Sequence, residues 1–139
     1  LSKTSVAATR ILMRQFRNDV SERIEMSDNF ALIVPDNLAD LAYEIVNTPK
    51  GLDSAEGNVN AQYKRYKIIP YARLDDSDTN NWFMVNLDLM KNDLVFIPRI
   101  KPETRTQIDF NTLVTMISSY TRFAAGTLGW RWIYGHSVT

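Results

Sequence analysis

Residues 113–134 read L-V-T-M-I-S-S-Y-T-R-F-A-A-G-T-L-G-W-R-W-I-Y, and the interpretation of the chain starts from this stretch. It holds two of the three tryptophans and only two charged residues, Arg122 and Arg131. Gly126 and Gly129 mark points where the chain can turn, because glycine adopts positive φ without a steric penalty. Successive bulky side chains suit a strand, in which neighbours point to opposite faces. We therefore predict strands whose two faces must both be covered, by this chain or, as we favour, by another.

Length, charge and cysteine content restrict the possible functions. The chain has 139 residues, which is enough for one domain, or for one domain and a piece of another. Sixteen basic residues balance sixteen acidic ones, so no overall charge draws the chain to nucleic acid or an anionic membrane. The absence of cysteine excludes disulfides, thiolate catalysis and cysteine-ligated metals. No apolar run is long enough for a membrane span, and no signal-peptide pattern opens the chain.

Apolar periodicity predicts a mixed α/β fold with a central sheet flanked by two helices. A long helix is expected at residues 5–25 and a second one at 36–47, separated by a buried strand at 30–34. Further strands are expected at 66–74, 82–88 and 94–100, with 90–93 as a connection. Residues 113–123 fit either a strand or a helix, and their β-branched content favours a strand. The segment 48–63 is predicted to be an exposed, mobile loop.

The sequence contains no pattern that indicates catalysis, a cofactor or a metal. His136 is the only histidine, and we expect it in a solvent-exposed tail. Residues 76–80 (D-S-D-T-N) open like a calcium loop, but Asn81 and Leu87 occupy the positions that need glycine and glutamate. A turn in which these side chains bond their own backbone accounts for the same residues. We therefore predict that the protein is not an enzyme and binds no cofactor.

Several segments together resemble the major capsid protein of tailed phages with the Hong Kong 97-type fold, especially the Mu-like head subunits. The matching segments are N-F-A-L-I-V-P (29–35), A-x-x-I-V-N (42–47), K-I-I-P-Y-A-R-L (67–74), N-W-F-M-V (81–85) and Y-T-R-F-A-A-G-T-L-G-W-R-W-I-Y-G (120–135). The last of these is the most specific.

The resemblance implies a structural subunit of an icosahedral phage or prophage shell that self-assembles and encloses DNA. Its partners are other copies of itself, and its location is the virion capsid, with assembly in the host cytoplasm. Residues 1–112 would form an axial-type domain, and 113–139 would return to the peripheral domain. The family's amino-terminal arm, extended hairpin and spine helix are expected to be absent from this chain, which would be a fragment. The candidate subunit contacts are Asp53, Glu56, Asn58, Asn60, Lys64, Arg65, Arg122, Trp130, Arg131 and Trp132.

The alternative hypothesis is a nucleic-acid-binding module. It would use Arg10, Arg14 and Arg17 on the first helix and the basic segment from Lys64 to Lys67. The zero net charge argues against this function, since binding to a phosphate backbone needs a basic face.

Overall fold

The computed structural model describes residues 1–50 and 59–137, and over these residues the fold is mixed α+β. The α-helices are α1 (Lys3–Met13), α2 (Ala39–Asn47) and α3 (Leu87–Asp93). The strands are β1 (Phe30–Val34), β2 (Tyr66–Pro70), β3 (Trp82–Asn86), β4 (Leu94–Ile108), β5 (Thr115–Thr127) and β6 (Ile133–His136). The mixed fold class predicted from the sequence is confirmed at this level of detail.

The chain folds as two units, which are described separately. The first unit comprises Leu1–Asn92 and Trp130–Thr139, and the second comprises Asp93–Gly129. These bounds differ from the predicted division between residues 112 and 113. That division concerns equivalence to the axial and peripheral domains of a capsid subunit, and it stays a prediction.

The first unit is built on a four-stranded sheet in the order β2-β1-β3-β6. Strand β1 lies parallel to β2 and antiparallel to β3, and β6 pairs antiparallel with β3. Helix α2 lies on the connection between the parallel strands, the usual arrangement for a parallel pair. In the outer pair, Phe83 lies opposite Gly135, and a Cβ at Gly135 would stand 2.8 Å from the Phe83 ring. Glycine is therefore needed at this position for the ring to lie over the backbone.

The core of this unit lies on one face of the sheet. Phe30, Leu32 and Val34 alternate along β1 and are buried, as expected for side chains that point to the same face. They form one cluster with residues of both α1 and α2, including Val6 and Ile45. Both predicted helices therefore contribute to the same core, and their apolar side chains cover that face.

Helix α1 is shorter than predicted and ends at Met13 instead of near residue 25. Its start is well defined, because Ser2 and Ser5 form a reciprocal capping box. Beyond the helix, the Asn18 side-chain oxygen accepts the backbone N–H groups of Val20 and Glu22 at 3.0 and 2.9 Å. An asparagine side chain that bonds nearby backbone competes with helix formation, and the apolar periodicity of residues 14–25 did not reveal this turn.

Two further elements differ from the predictions. The expected connection at residues 90–93 belongs to helix α3, which begins directly after β3. Strand β2 ends at Pro70 instead of extending to residue 74, and a 3-10 turn follows at Ala72–Leu74. Proline lacks the N–H needed to continue a ladder, which explains the early end of the strand.

The second unit is a long antiparallel hairpin, β4–β5, hereafter the hairpin. Its strands have 15 and 13 residues, far more than the short strand predicted at 94–100. Strand structure within 113–123 is confirmed from residue 115 onward. The pairing tolerates Pro98 because the register shifts on either side of Ile100, where bulges bend the ladder.

Candidate subunit-contact site

The hairpin exposes large apolar side chains along its whole length. Nearly every residue of its two strands is exposed, and the exposed fraction of Phe96 is 61% and that of Ile117 71%. The other large apolar residues exposed on it are Leu94, Ile97, Ile108, Phe110, Leu113, Val114, Met116, Tyr120, Phe123 and Leu128. A two-stranded hairpin is at best marginally stable in water by itself. Apolar exposure on this scale is typical of a surface that another protein segment covers.

The two faces of the hairpin have different shapes near its base. On one face Phe96 and Phe123 pack with ring centroids 5.3 Å apart. On the opposite face Val95 and Ile97 stand across from two small residues, Gly126 and Ala124. The result is a shallow apolar cavity of about 260 Å³, hereafter the trough, which extends to Leu128. A Cβ built on Gly126 meets no atom within 4 Å, so the trough is open above this residue.

The tip of the hairpin is closed by local hydrogen bonds. The Asp109 carboxylate accepts the backbone N–H of Asn111 at 3.1 Å and the Thr112 hydroxyl at 2.8 Å. These bonds lower the pKa of Asp109, chiefly through Thr112. Leu113 closes the loop with a φ of +55°, an unusual value for a residue with a Cβ. The tip is therefore closed by hydrogen bonds among its own residues.

The segment that follows the hairpin is only partly a strand. The predicted alternation from Trp130 to Tyr134 is wrong for its first half, because only residues from Ile133 onward belong to β6 and a turn precedes them. Trp130 packs edge-on against Phe16 with centroids 5.3 Å apart, yet its ring remains 61% exposed. Trp130 is therefore an unusually exposed aromatic residue of the first unit. Trp132 is half-buried, and its carbonyl accepts the Asn86 N–H at 2.9 Å.

Arg131 forms an ion pair with an acidic residue of the first unit. Its guanidinium donates to the Asp19 carboxylate at 2.7 Å, and it also lies over the Trp130 ring at 5.4 Å. The Asp19 side chain is 91% exposed, so water screens this pair strongly. The pair orients the segment more than it stabilises the unit.

The remaining candidate contacts are not gathered on one surface. Asn60 is only 2% exposed, and its amide donates to the Ile45 and Thr48 carbonyls at 2.7 and 2.9 Å. It therefore completes the end of α2 and is not a surface residue. Lys64 is exposed, Arg65 is half-buried, and Arg122 lies on β5 of the hairpin. The candidate contacts Asp53, Glu56 and Asn58 lie outside the described residues. The same holds for residues 51–58 of the loop that was predicted to be mobile.

His136 is the clearest site that sequence reasoning placed wrongly. Instead of lying in an exposed tail, it belongs to β6, and its ring stacks on Trp82 with centroids 4.3 Å apart. Its Nε2 is 2.6 Å from the hydroxyl of Thr9, which is fully buried in α1. Burial of the ring, and secondarily the positive amino terminus, lowers the pKa of His136. No local signal could have revealed this contact, since 127 residues separate the two partners.

Neither a metal-ion cluster nor a membrane-spanning helix is found in the described parts of the chain. Within residues 1–50 and 59–137, no three His, Cys, Asp or Glu side chains cluster as a metal ion would require. At the predicted turn, the Asp78 carboxylate accepts the backbone N–H of Asn80 at 2.8 Å, which confirms the explanation by local backbone bonding. None of the helices in the described parts has the length and apolar character needed to cross a membrane.

Comparison with known proteins identifies the family. Residues 1–135 match the family model described as phage capsid protein. Comparisons with curated proteins and with solved structures found no match. The family match covers nearly the whole chain, including the hairpin and both parts of the first unit. This is a family of structural, non-enzymatic proteins, in agreement with the absence of a catalytic pattern in the sequence. The chain therefore belongs to the phage capsid protein family and is a structural protein of a phage capsid.

Proposed function

We propose that this chain is a self-assembling subunit of an icosahedral phage or prophage shell that encloses DNA. In this proposal the subunit has the Hong Kong 97-type fold and is most similar to Mu-like head subunits. Residues 1–112 correspond to its axial domain, and residues 113–139 to the return toward its peripheral domain. The subunit assembles in the host cytoplasm and resides in the virion.

The exposure of the hairpin is the observation that carries the proposal. Burial of apolar surface is the dominant favourable contribution to most protein association, at about 25 cal/mol per Å². The hairpin presents apolar side chains on both faces and has too few strands to bury them itself. In a closed shell, contact with other copies would remove this surface from water.

We assign the trough as the most specific contact on the hairpin. Small residues in β5 form its floor and larger side chains of β4 form its rim, so it can accept a protruding apolar group. Its occupant is a second copy of the chain. Trp130, Arg131 and Trp132 stay candidate contacts of the first unit, together with Lys64 and Arg65.

Gly126→Val tests this assignment. The added side chain meets no atom of the chain within 4 Å at its Cβ, and valine has a higher strand propensity than glycine. The variant should therefore fold at least as well as the parent. It fills the trough, and we expect assembly to weaken by about tenfold or more, since overpacking typically costs 1–3 kcal/mol.

The assay is sedimentation velocity over a range of concentrations, with electron microscopy of the assembled species. Ser118→Val is the matched control, because it adds an apolar side chain to the exposed β5 away from the trough. The proposal predicts equal assembly for the parent and the control, and assembly that is weaker by about tenfold or more for Gly126→Val. Equal assembly of Gly126→Val and the parent would refute the role of the trough. A parent that stays monomeric at all concentrations would refute self-assembly of this chain.

A further inference from the structure

Two arginines from separate parts of the chain, Arg14 and Arg65, share the Asp28 carboxylate in the first unit, and Arg10 lies nearby against Tyr66. Arg14, at the end of α1, donates to Asp28 Oδ1 at 2.8 Å. Arg65, just before β2, donates to Asp28 Oδ2 at 3.1 Å. Arg10 lies one helical turn before Arg14 and interacts with Tyr66, the residue next to Arg65. Arg10, Arg14 and Arg65 are called the arginine cluster below.

The arginine cluster carries more positive charge than its surroundings neutralise. Asp28 is the one acidic residue that forms an ion pair with the cluster in the described residues, so these ion pairs leave two of its three positive charges uncompensated, and Glu25 lines the cavity beside Arg14 without such a pair. The Tyr66 hydroxyl donates to Gln62 Oε1 at 2.6 Å and supplies no compensating charge. Burial, the largest influence, raises the pKa of Tyr66 in spite of the neighbouring arginines, so the phenol is neutral.

Two guanidinium groups of the cluster also have unused hydrogen-bond donors. The Nε atoms of Arg10 and Arg65 are buried, and they have no hydrogen-bond partner within residues 1–50 and 59–137. Buried donors without partners are uncommon, and each one has a specific cause. The negative end of the helix dipole explains why cations such as Arg10 and Arg14 lie at the end of α1. It does not explain Arg65, which comes from another segment.

A ligand can reach the cluster at the Arg14 side chain and at the end of Arg65, whose side chain is 30% exposed, whereas the unpaired Nε atoms of Arg10 and Arg65 are buried. The Asp28 side chain is 50% exposed and that of Arg14 is 42% exposed. Beside Arg14 lies an open cavity of about 440 Å³, which Arg23 and Glu25 also line. Exposed Lys64 and Lys67 flank Arg65 in sequence and add positive charge to the same segment.

We propose that the arginine cluster binds a phosphate group, and that this phosphate belongs to a nucleic-acid backbone. Guanidinium groups form paired, charge-assisted hydrogen bonds with phosphate oxygens. In this structure the Asp28 carboxylate already accepts some of the hydrogen bonds that the cluster can donate. Binding of this kind does not depend on base sequence and requires only a local basic surface. It is therefore compatible with the zero net charge of the chain. The phosphate chemistry follows from the cluster itself, whereas the choice of nucleic acid rests on the proposed shell function.

The test is binding of the full chain to a short DNA duplex of arbitrary sequence, measured by fluorescence anisotropy over a range of salt concentrations. Arg14→Gln and Arg65→Gln each remove one guanidinium and should weaken binding by about tenfold while lowering the salt slope by about one. Arg105→Gln is the control, because that side chain is 81% exposed and lies on the hairpin. Asp28→Asn removes the competing carboxylate and should tighten binding, an outcome that a purely structural role of Asp28 does not produce.

Competition experiments identify the ligand. Inorganic phosphate alone should displace the duplex from the parent but have less effect on the residual binding of Arg14→Gln. Equal competition by polyglutamate at matched charge would show recognition of carboxylates and would overturn the proposal. Equal losses in Arg105→Gln and Arg65→Gln would reduce the binding to general electrostatics and overturn it as well. Particle formation by Arg14→Gln should be unchanged, so failure here is distinguishable from failure of the shell function.

Discussion

The contact between Thr9 and His136 predicts a measurable coupling between the two ends of the chain. The Thr9 hydroxyl lies 2.7 Å from the Ser5 carbonyl oxygen and donates its hydrogen to it. Toward His136 Nε2, 2.6 Å away, the hydroxyl therefore acts as acceptor, and Nε2 carries the hydrogen. The bond attaches β6, the last strand of the sheet, to helix α1.

Replacing Thr9 by valine removes this bond and keeps the shape of the side chain. The His136 ring is only partly buried, so water can replace part of the lost interaction. We expect a loss of about 1 kcal/mol in the free energy of unfolding. His136→Ala loses the same bond and also the stack on Trp82, for which we expect about 2 kcal/mol in total.

A double-mutant cycle isolates the bond from these other effects. Urea unfolding of the parent, both single variants and the double variant should be measured well above the ordinary pKa of histidine. The loss of unfolding free energy in the double variant should be about 1 kcal/mol smaller than the sum of the two single losses, because the bond can be lost only once. Additivity within about 0.3 kcal/mol would show that Thr9 and His136 do not interact, and would refute the placement of β6 against α1.

Three further predictions concern pH, buried tryptophan and the hairpin tip. Burial lowers the pKa of His136 in the folded chain, so on acidification His136 is protonated at a higher pH in the unfolded chain than in the folded one. The free energy of unfolding should therefore fall as the pH drops below about 6.5, the ordinary pKa of histidine. His136→Gln should flatten that dependence of the urea midpoint on pH, and coinciding curves would contradict the prediction. Trp82 is 1% exposed, and Trp82→Ala should lower the free energy of unfolding by about 3–5 kcal/mol. Trp130 is 61% exposed, and Trp130→Ala should lower it by about 1–2 kcal/mol. Equal losses of melting temperature in the two variants would contradict this prediction. Leu113→Gly should slow hydrogen exchange in the hairpin tip by relieving about 1 kcal/mol of strain at positive φ, and faster exchange would count against that reasoning.

Elements with strong local signals were predictable from the sequence. The apolar run at 30–34, bounded by Pro35, is buried strand β1. The apolar spacing after Asp36 predicted α2, and Ala42, Ile45 and Val46 are buried as that spacing implies, whereas Leu41 is exposed. The β-branched residues of 113–123 favoured a strand over a helix, and β5 confirms this. In each case the residues that determine the element lie within the element or directly beside it.

Where the predictions failed, side chains acting outside the periodic pattern decided the structure. Residues 14–25 keep apolar residues at helical spacing, yet hydrogen bonds to Asn18 form a turn there. Asn60 looked like a polar loop residue, but it is buried because its amide satisfies carbonyls at the end of α2. The arginine cluster combines α1 with a segment before β2, and no sequence spacing indicated that Arg14 and Arg65 share Asp28.

The sequence by itself determined the types of most elements, the absence of a catalytic pattern and the resemblance to capsid subunits. These properties follow from composition and from patterns a few residues long, which act before the chain is packed. Tertiary structure alone decided which aromatic residues are buried. Trp82 lies in the core and Trp130 at the surface, although both occur in apolar, strand-like segments. The difference arises because Trp82 lies on β3, between β1 and β6, and is covered by the stacked His136 ring, whereas Trp130 lies in the turn before β6 and packs edge-on against Phe16.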